Sequence, residues 1–149
     1  MIELEFEVEI ERPIEDVFAR LADIDRYREW LPKSLIFKGG GLVAPTSDVE
    51  LGTEFIDITP LGRLRGTVTQ FQPPARIGFE QTLRRWGKPV FVSRPSYELT
   101  AWDPGTHVRH RGEVELSGSL AFTEPLVRRL ALGERSRVVQ ELKRSFETT

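Results

Sequence analysis

The chain holds two histidines and no cysteine, so thiol nucleophiles, thiolate metal sites and disulfides are excluded from the start. His107 and His110 lie three apart in a strand-like run from Thr106 to Leu116, which turns their side chains to opposite faces. They cannot share a metal ion, and neither a metal nor a cofactor is expected. His110 falls in line with Val108, Gly112, Val114 and Leu116. The preceding run aligns Tyr97 with Leu99 and Ala101, and the one before aligns Gln81 with Ile77 and Phe79. An imidazole, a phenol and an amide on otherwise apolar rows suit a ligand with one or two oxygens on an apolar body, such as a carbonyl, phenol, quinone or carboxylate. Taken singly, each is more readily a core residue satisfied by a neighbour than a functional group. Their convergence favours a site, and the ligand-binding candidates are Phe79, Gln81, Tyr97, Leu99, Val108, His110, Val114 and Gly133.

Asp57 is open to two readings. In the run Thr53 to Thr59, Phe55, Asp57 and Thr59 alternate with Glu54, Ile56 and Ile58. Hydrophobicity puts the isoleucines inside; the other parity would make Asp57 a buried carboxylate with a raised pKa and a candidate base. Gly133 interrupts the last helix, where it either leaves room for ligand beneath the helix or is a tolerated glycine. The segment Gly39 to Leu51 reads as a flexible flap at the mouth or as an ordinary solvated loop. Arg84, Arg85, Trp86 and Lys88 form a basic hairpin tip, which either touches an anionic headgroup or is a solvated turn with Trp86 folded back on the sheet. The second reading is preferred.

The elements that must position these groups are legible in the hydrophobic pattern. Ile2, Leu4, Phe6, Val8 and Ile10 alternate with glutamates up to Arg12-Pro13, the signature of a strand with one dry face and one wet face. Pro13, Glu15 and Asp16 suit the start of a short helix through Val17, Phe18 and Leu21. Asp23 is placed to cap a second helix, which ends at Pro32. Strand-like runs follow at Ser34 to Lys38, Thr53 to Thr59, Arg63 to Phe71, Arg76 to Leu83, Val90 to Trp102 and Thr106 to Leu116, mostly with short Gly and Pro turns between them. Such turns favour an antiparallel meander. A helix from about Glu124 to Glu147 closes the chain, with Leu126, Leu130, Val138, Leu142 and Phe146 at helical spacing. The expectation is an α+β fold: a curved antiparallel sheet of about seven strands, ordered β-α-α-β6-α, wrapped around one long C-terminal helix. A bent sheet around a straight helix is a container architecture.

Composition is consistent with that picture. A chain of 149 residues, 39% hydrophobic and 30% charged, reads as a single globular domain over 1–149. A net charge of −2 gives no general attraction to nucleic acid. The acids in the N-terminal run disagree with a signal peptide, and no apolar run is long enough to span a bilayer. A cytoplasmic protein is expected, with no nucleic-acid partner, no stable membrane insertion and a monomeric or weakly dimeric state.

The chain resembles the helix-grip superfamily (SRPBCC), which includes START lipid-transfer domains, Bet v 1-like plant allergens and polyketide cyclase/dehydrase-like proteins, the last being the branch it is most similar to. The resemblance rests on Glu11-Arg12-Pro13 with Val17-Phe18 and Leu21, on Asp23 followed by Tyr27, Trp30 and Pro32, and on Leu51-Gly52-Thr53. It continues in Pro73-Pro74-Ala75-Arg76-Ile77, Tyr97-Glu98-Leu99, Gly105-Thr106 with Val108, and Leu142-Lys143 with Phe146-Glu147. It implies the helix-grip fold and says less about chemistry, because one scaffold serves carriers, sensors and enzymes. Two functions follow. The preferred one is binding or transport of a hydrophobic small molecule, such as a lipid, quinone or polyketide, in an internal cavity. The alternative is a cyclase/dehydrase-type enzyme for aldol cyclisation or dehydration, with His110 removing a proton alpha to a carbonyl and Tyr97 hydrogen-bonding the enolate oxygen.

Overall fold

The N-terminal alternation becomes β1, Ile2–Ile10, in the computed structural model, which describes residues 1–31, 39–43 and 48–147. Pro13 precedes α1, Ile14–Ala22, whose inward face is Val17, Phe18 and Leu21. Asp23 breaks the helix without capping the next one; its carboxylate lies 3.6 Å from the Arg26 guanidinium instead. A 3-10 turn, Ile24–Arg26, leads into the single turn of α2, Tyr27–Trp30. The strand expected at Ser34 to Lys38 lies outside the described residues.

β2, Gly39–Leu42, is a strand where the sequence reads as the start of a flap. Three glycines carry no side-chain periodicity, so nothing in the pattern announces it. Their bareness is what the position requires: a Cβ on Gly41 would stand 2.8 Å from Asp25 Oδ1, which accepts the Leu42 N–H at 2.9 Å. The remaining strands are β3 (Glu54–Thr59), β4 (Gly62–Gln72), β5 (Arg76–Arg85), β6 (Lys88–Trp102) and β7 (Gly105–Leu116), close to the runs expected. They form one seven-stranded antiparallel sheet in the order β1-β7-β6-β5-β4-β3-β2, so β1 and β2 are its two edges. Register shifts between Val68 and Gln70 and between Leu83 and Arg84 mark bulges, which sharpen the bend of the sheet.

After a 3-10 turn, Gly118–Thr123, the long helix α3 spans Glu124–Glu147 and completes the α+β helix-grip arrangement. Val138, Leu142 and Phe146 are buried as expected, but Leu126 and Leu130 are exposed. A strict four-residue spacing advances about 40° around a helix at each step, so five such positions cannot share one face. Val127 and Ala131, within about 20° of Val138 by the same geometry, take the packed face and sit against Ile2, Leu4 and Val114.

The wet face of the sheet is a ladder of ion pairs. Register places Glu5 opposite Arg111, Glu7 opposite Arg109 and Glu9 opposite His107. Arg109 Nε lies 3.2 Å from Glu5 and 3.3 Å from Glu7, and Arg94 bridges Glu80 and Glu115 at 3.1 and 3.3 Å. Exposed pairs of this kind contribute at most about 1 kcal/mol each.

Candidate functional site: a polar seam across the core

The buried apolar residues gather in three clusters, with Phe91 packed against both the second and the third. The largest cluster joins α1, α2 and the C-terminal half of α3 to Phe55, Val68, Ile77, Phe79, Tyr97, Leu99 and Val108. A second collects Ile2, Leu4 and Val114 with Val127 and Ala131, and a third Leu64, Leu83 and Val90 with Leu120. On β1 the apolar Phe6 of the second cluster is followed directly by Val8 of the first, whereas on four other elements one cluster gives way to another at an inward residue that is polar or glycine. On β5 it is Gln81, between Phe79 and Leu83. On β7 it is His110 and Gly112, between Val108 and Val114; on β4 it is Gly66, between Leu64 and Val68; on α3 it is Arg135, between Ala131 and Val138. These positions form a seam between the sheet and α3.

Tyr97 and His110 are cross-strand partners with rings stacked at 4.3 Å, and both are buried. His110 Nδ1 is 2.9 Å from the Ser96 carbonyl, so this nitrogen carries the proton and donates it. Nε2 is then a bare acceptor, buried and without a hydrogen-bond partner. Burial, assisted by the Arg135 charge and opposed by the Ser96 contact, lowers the His110 pKa to about 3. The imidazole is neutral across the ordinary pH range. Burial also raises Tyr97 to about 12, against the pull of Arg135.

Asp57 faces inward, reversing the parity that Ile56 and Ile58 suggest. The inner position is set by Phe55, whose ring occupies the space that a Cβ on Gly66 would enter, 2.3 Å from that atom, and meets Phe79 edge-on at 5.6 Å. Two residues further along the same face stands Asp57, with Gln81 donating its amide to the carboxylate. Burial raises the Asp57 pKa to about 6, with Arg135 and the Gln81 contact pulling the other way.

Arg135 is the group that sequence reading passes over. Its stem runs above Gly112, where a Cβ would meet it at 3.9 Å, and its charge reaches Asp57, Tyr97 and His110. Among the described residues it has no ion pair within 4 Å. One arginine among many on a helix carries no distinguishing mark; the available signal was the glycine at 112, on the inner row of the facing sheet.

Of the expected ligand-binding residues, Phe79, Gln81, Tyr97, Leu99, Val108, His110 and Val114 are buried on the inner face. Tyr97, His110 and Gln81 belong to the seam or adjoin it, and Val114 packs in the second cluster. Gly133 does not join them: it is exposed, and a Cβ there would meet nothing within 4 Å, so it opens no space beneath the helix. Two surface grooves of about 340 and 550 Å³ flank Arg12 and Phe146, and neither is lined by Asp57, Gln81, Tyr97 or His110. No group of three or more potential metal ligands occurs among the described residues.

Comparison with known proteins agrees with this architecture. A START superfamily protein from Mycobacterium smegmatis superposes with a TM-score of 0.74 at 16% identity, over 97% of each chain. A Mesorhizobium loti protein gives 0.70 at 17% identity over 99% of this chain and 98% of that one. A Nitrosomonas europaea protein gives 0.68 at 17% identity over 98% and 94%. Likeness at these identities shows the fold. No curated protein matches the sequence significantly. The model of one family, described as polyketide cyclase / dehydrase and lipid transport, matches residues 1–147, and the chain belongs to that family.

Proposed function

We propose that this protein binds a hydrophobic small molecule between the inner face of the sheet and α3, with the oxygen-bearing end of the ligand at the polar seam. The family supports a hydrophobic ligand in general. The observation that carries the finer reading is the buried, unpartnered Nε2 of His110. A buried acceptor left unsatisfied costs about 1–3 kcal/mol, which a ligand hydroxyl recovers. Arg135 asks for the opposite, an acceptor oxygen. A hydroxyl close to a carbonyl or carboxylate on an apolar body, as in a phenolic, polyketide-like or quinol compound, meets both demands.

The test is native mass spectrometry of the purified protein for a copurified apolar compound, followed by titration with oleate, a short-chain quinone and a hydroxyanthraquinone. His110→Phe and Arg135→Gln are expected to weaken the hydroxyanthraquinone by about 10-fold or more, the equivalent of roughly 1.4 kcal/mol. The reading is abandoned if no probe binds and nothing copurifies, or if both variants bind as the parent does.

A second reading, cyclase/dehydrase-type catalysis, is favoured by one observation, the raised pKa of Asp57. A carboxylate near 6 is a better base than an imidazole near 3, so in this reading Asp57 rather than His110 takes the proton alpha to a carbonyl. Tyr97, protonated up to about 12, donates to the enolate oxygen, and Arg135 balances its charge. Asp57→Asn then abolishes turnover of a poly-carbonyl probe while leaving its binding intact; if no turnover is seen in the parent, binding alone stands.

A further inference from the structure

One end of the molecule gathers exposed apolar and basic side chains, among which Arg128 pairs with Glu124 at 3.2 Å and Arg84 donates to the Gly87 carbonyl at 3.4 Å. The β5–β6 hairpin turns through Trp86 and Gly87 at φ of 51° and 76°, both in the left-handed region. Such turns favour asparagine or glycine, and a bulky residue there is strained. Trp86 gains no burial in return, because it is 97% exposed. This corrects the expectation that it folds back on the sheet.

The 3-10 turn before α3 is tied to the root of this hairpin. The Ser117 N–H donates to the Val90 carbonyl at 3.0 Å, and its hydroxyl donates to the Pro89 carbonyl at 2.8 Å. That turn ends beside Phe122, 82% exposed, and α3 continues the strip with Leu126, 59% exposed. On the other side of the hairpin root, a Cβ on Gly62 would lie 3.5 Å from Leu83, which places the β3–β4 turn and exposed Leu61 at the same end. The segments 58–63, 84–90 and 117–130 carry Arg63, Arg84, Arg85, Lys88, Arg128 and Arg129 against Glu124 alone, within a chain of net charge −2.

We infer that this end docks on an anionic lipid bilayer, with Trp86 and Phe122 entering the headgroup region and the cations around them facing lipid phosphates. Indole sits well at a membrane–water interface, and clustered Lys and Arg are drawn to an anionic leaflet. The sign of the charge selects the partner: a second copy of this chain would bring the same cations together. The inference is independent of what the polar seam binds.

The test is co-sedimentation of the full chain with vesicles of phosphatidylcholine containing 30% phosphatidylglycerol, and with phosphatidylcholine alone. Binding is expected to the anionic vesicles, at least 10-fold weaker to the neutral ones, and to be released by 0.5 M salt. Trp86→Ser is expected to lower binding about 10-fold and to remove the blue shift in tryptophan emission. Arg84→Gln with Arg85→Gln is expected to lower it comparably. Trp102→Ser, at a tryptophan outside these segments, is expected to leave it unchanged. Circular dichroism confirms that each variant folds. Absence of binding to anionic vesicles, equal binding to neutral ones, or full binding by Trp86→Ser would overturn the inference. So would a concentration-dependent dimer, seen by sedimentation velocity and abolished by Trp86→Ser, without vesicle binding.

Discussion

Asp57 ties stability to the proposed function. Its pKa rises from an ordinary 3.8 to about 6 on folding, so the folded chain holds a proton that the unfolded chain releases between those values. Stability therefore falls as pH rises from about 4 to 6, and the cost persists above that range. At about 1.4 kcal/mol per unit it is on the order of 2–3 kcal/mol. His110 has the opposite sign: lowered from 6.5 to about 3, it loses stability as pH falls through that interval. The two slopes oppose each other between about 4 and 6, so each is read as a difference from the parent. Urea denaturation of Asp57→Asn at pH 4, 5, 6 and 7 should show no gain at pH 4 and a gain on the order of 2 kcal/mol at pH 7; equal stabilities throughout would mean that Asp57 is solvated. At this scale the sequence was a partial guide. Alternation alone put Tyr97, His110 and Gln81 on the dry rows. It left Asp57 open and leaned towards the other parity, because the space over Gly66 that admits the Phe55 ring depends on the neighbouring strand. Arg135 escaped notice for a similar reason, since its setting is made by Gly112 across the interior.

The strands and α3 depend on a small number of close fits. Gly66→Ala puts a methyl group 2.3 Å from the Phe55 ring and must displace it, with a cost of about 1–3 kcal/mol for overpacking. On α3, Leu142→Ala removes a fully buried side chain and should cost about 2–5 kcal/mol, whereas Leu126→Ala should change stability by less than about 0.5 kcal/mol. Chemical denaturation of the three variants checks the ranking; a large loss from Leu126→Ala would mean that the packed face of α3 has been misassigned. Most strands announced themselves because a half-buried strand must alternate. β2 did not, since its glycines carry no pattern and its evidence lies in its pairing with β3 and its contact with Asp25. The packed face of α3 was blurred in its first turns, where Leu126 and Leu130 belong to a different surface from Val138.

Across the whole molecule, cooperativity should follow the layout of the sheet. β6 and β7 are paired over Phe91 to Trp102 and are flanked on both sides, whereas β2 is a four-residue edge. Amide hydrogen exchange should be slowest in β6 and β7 and fastest in β2, with opening free energies that separate the two groups. Uniform protection would contradict this. The general architecture was readable from one strand, two short helices, a meander and a terminal helix, because each of those patterns has few partners with which it can bury its dry side. The division of the core was not readable, since it emerges only when several rows are laid side by side. The other edge, β1, is paired with β7 along all nine residues and leaves only its outer side without a neighbouring strand among the described residues, with glutamate at every second position. Those carboxylates do more than wet a surface. A neighbouring molecule that tried to extend the sheet by adding its own β1 would line up acid against acid, so like-charge repulsion guards this margin against fibrous growth.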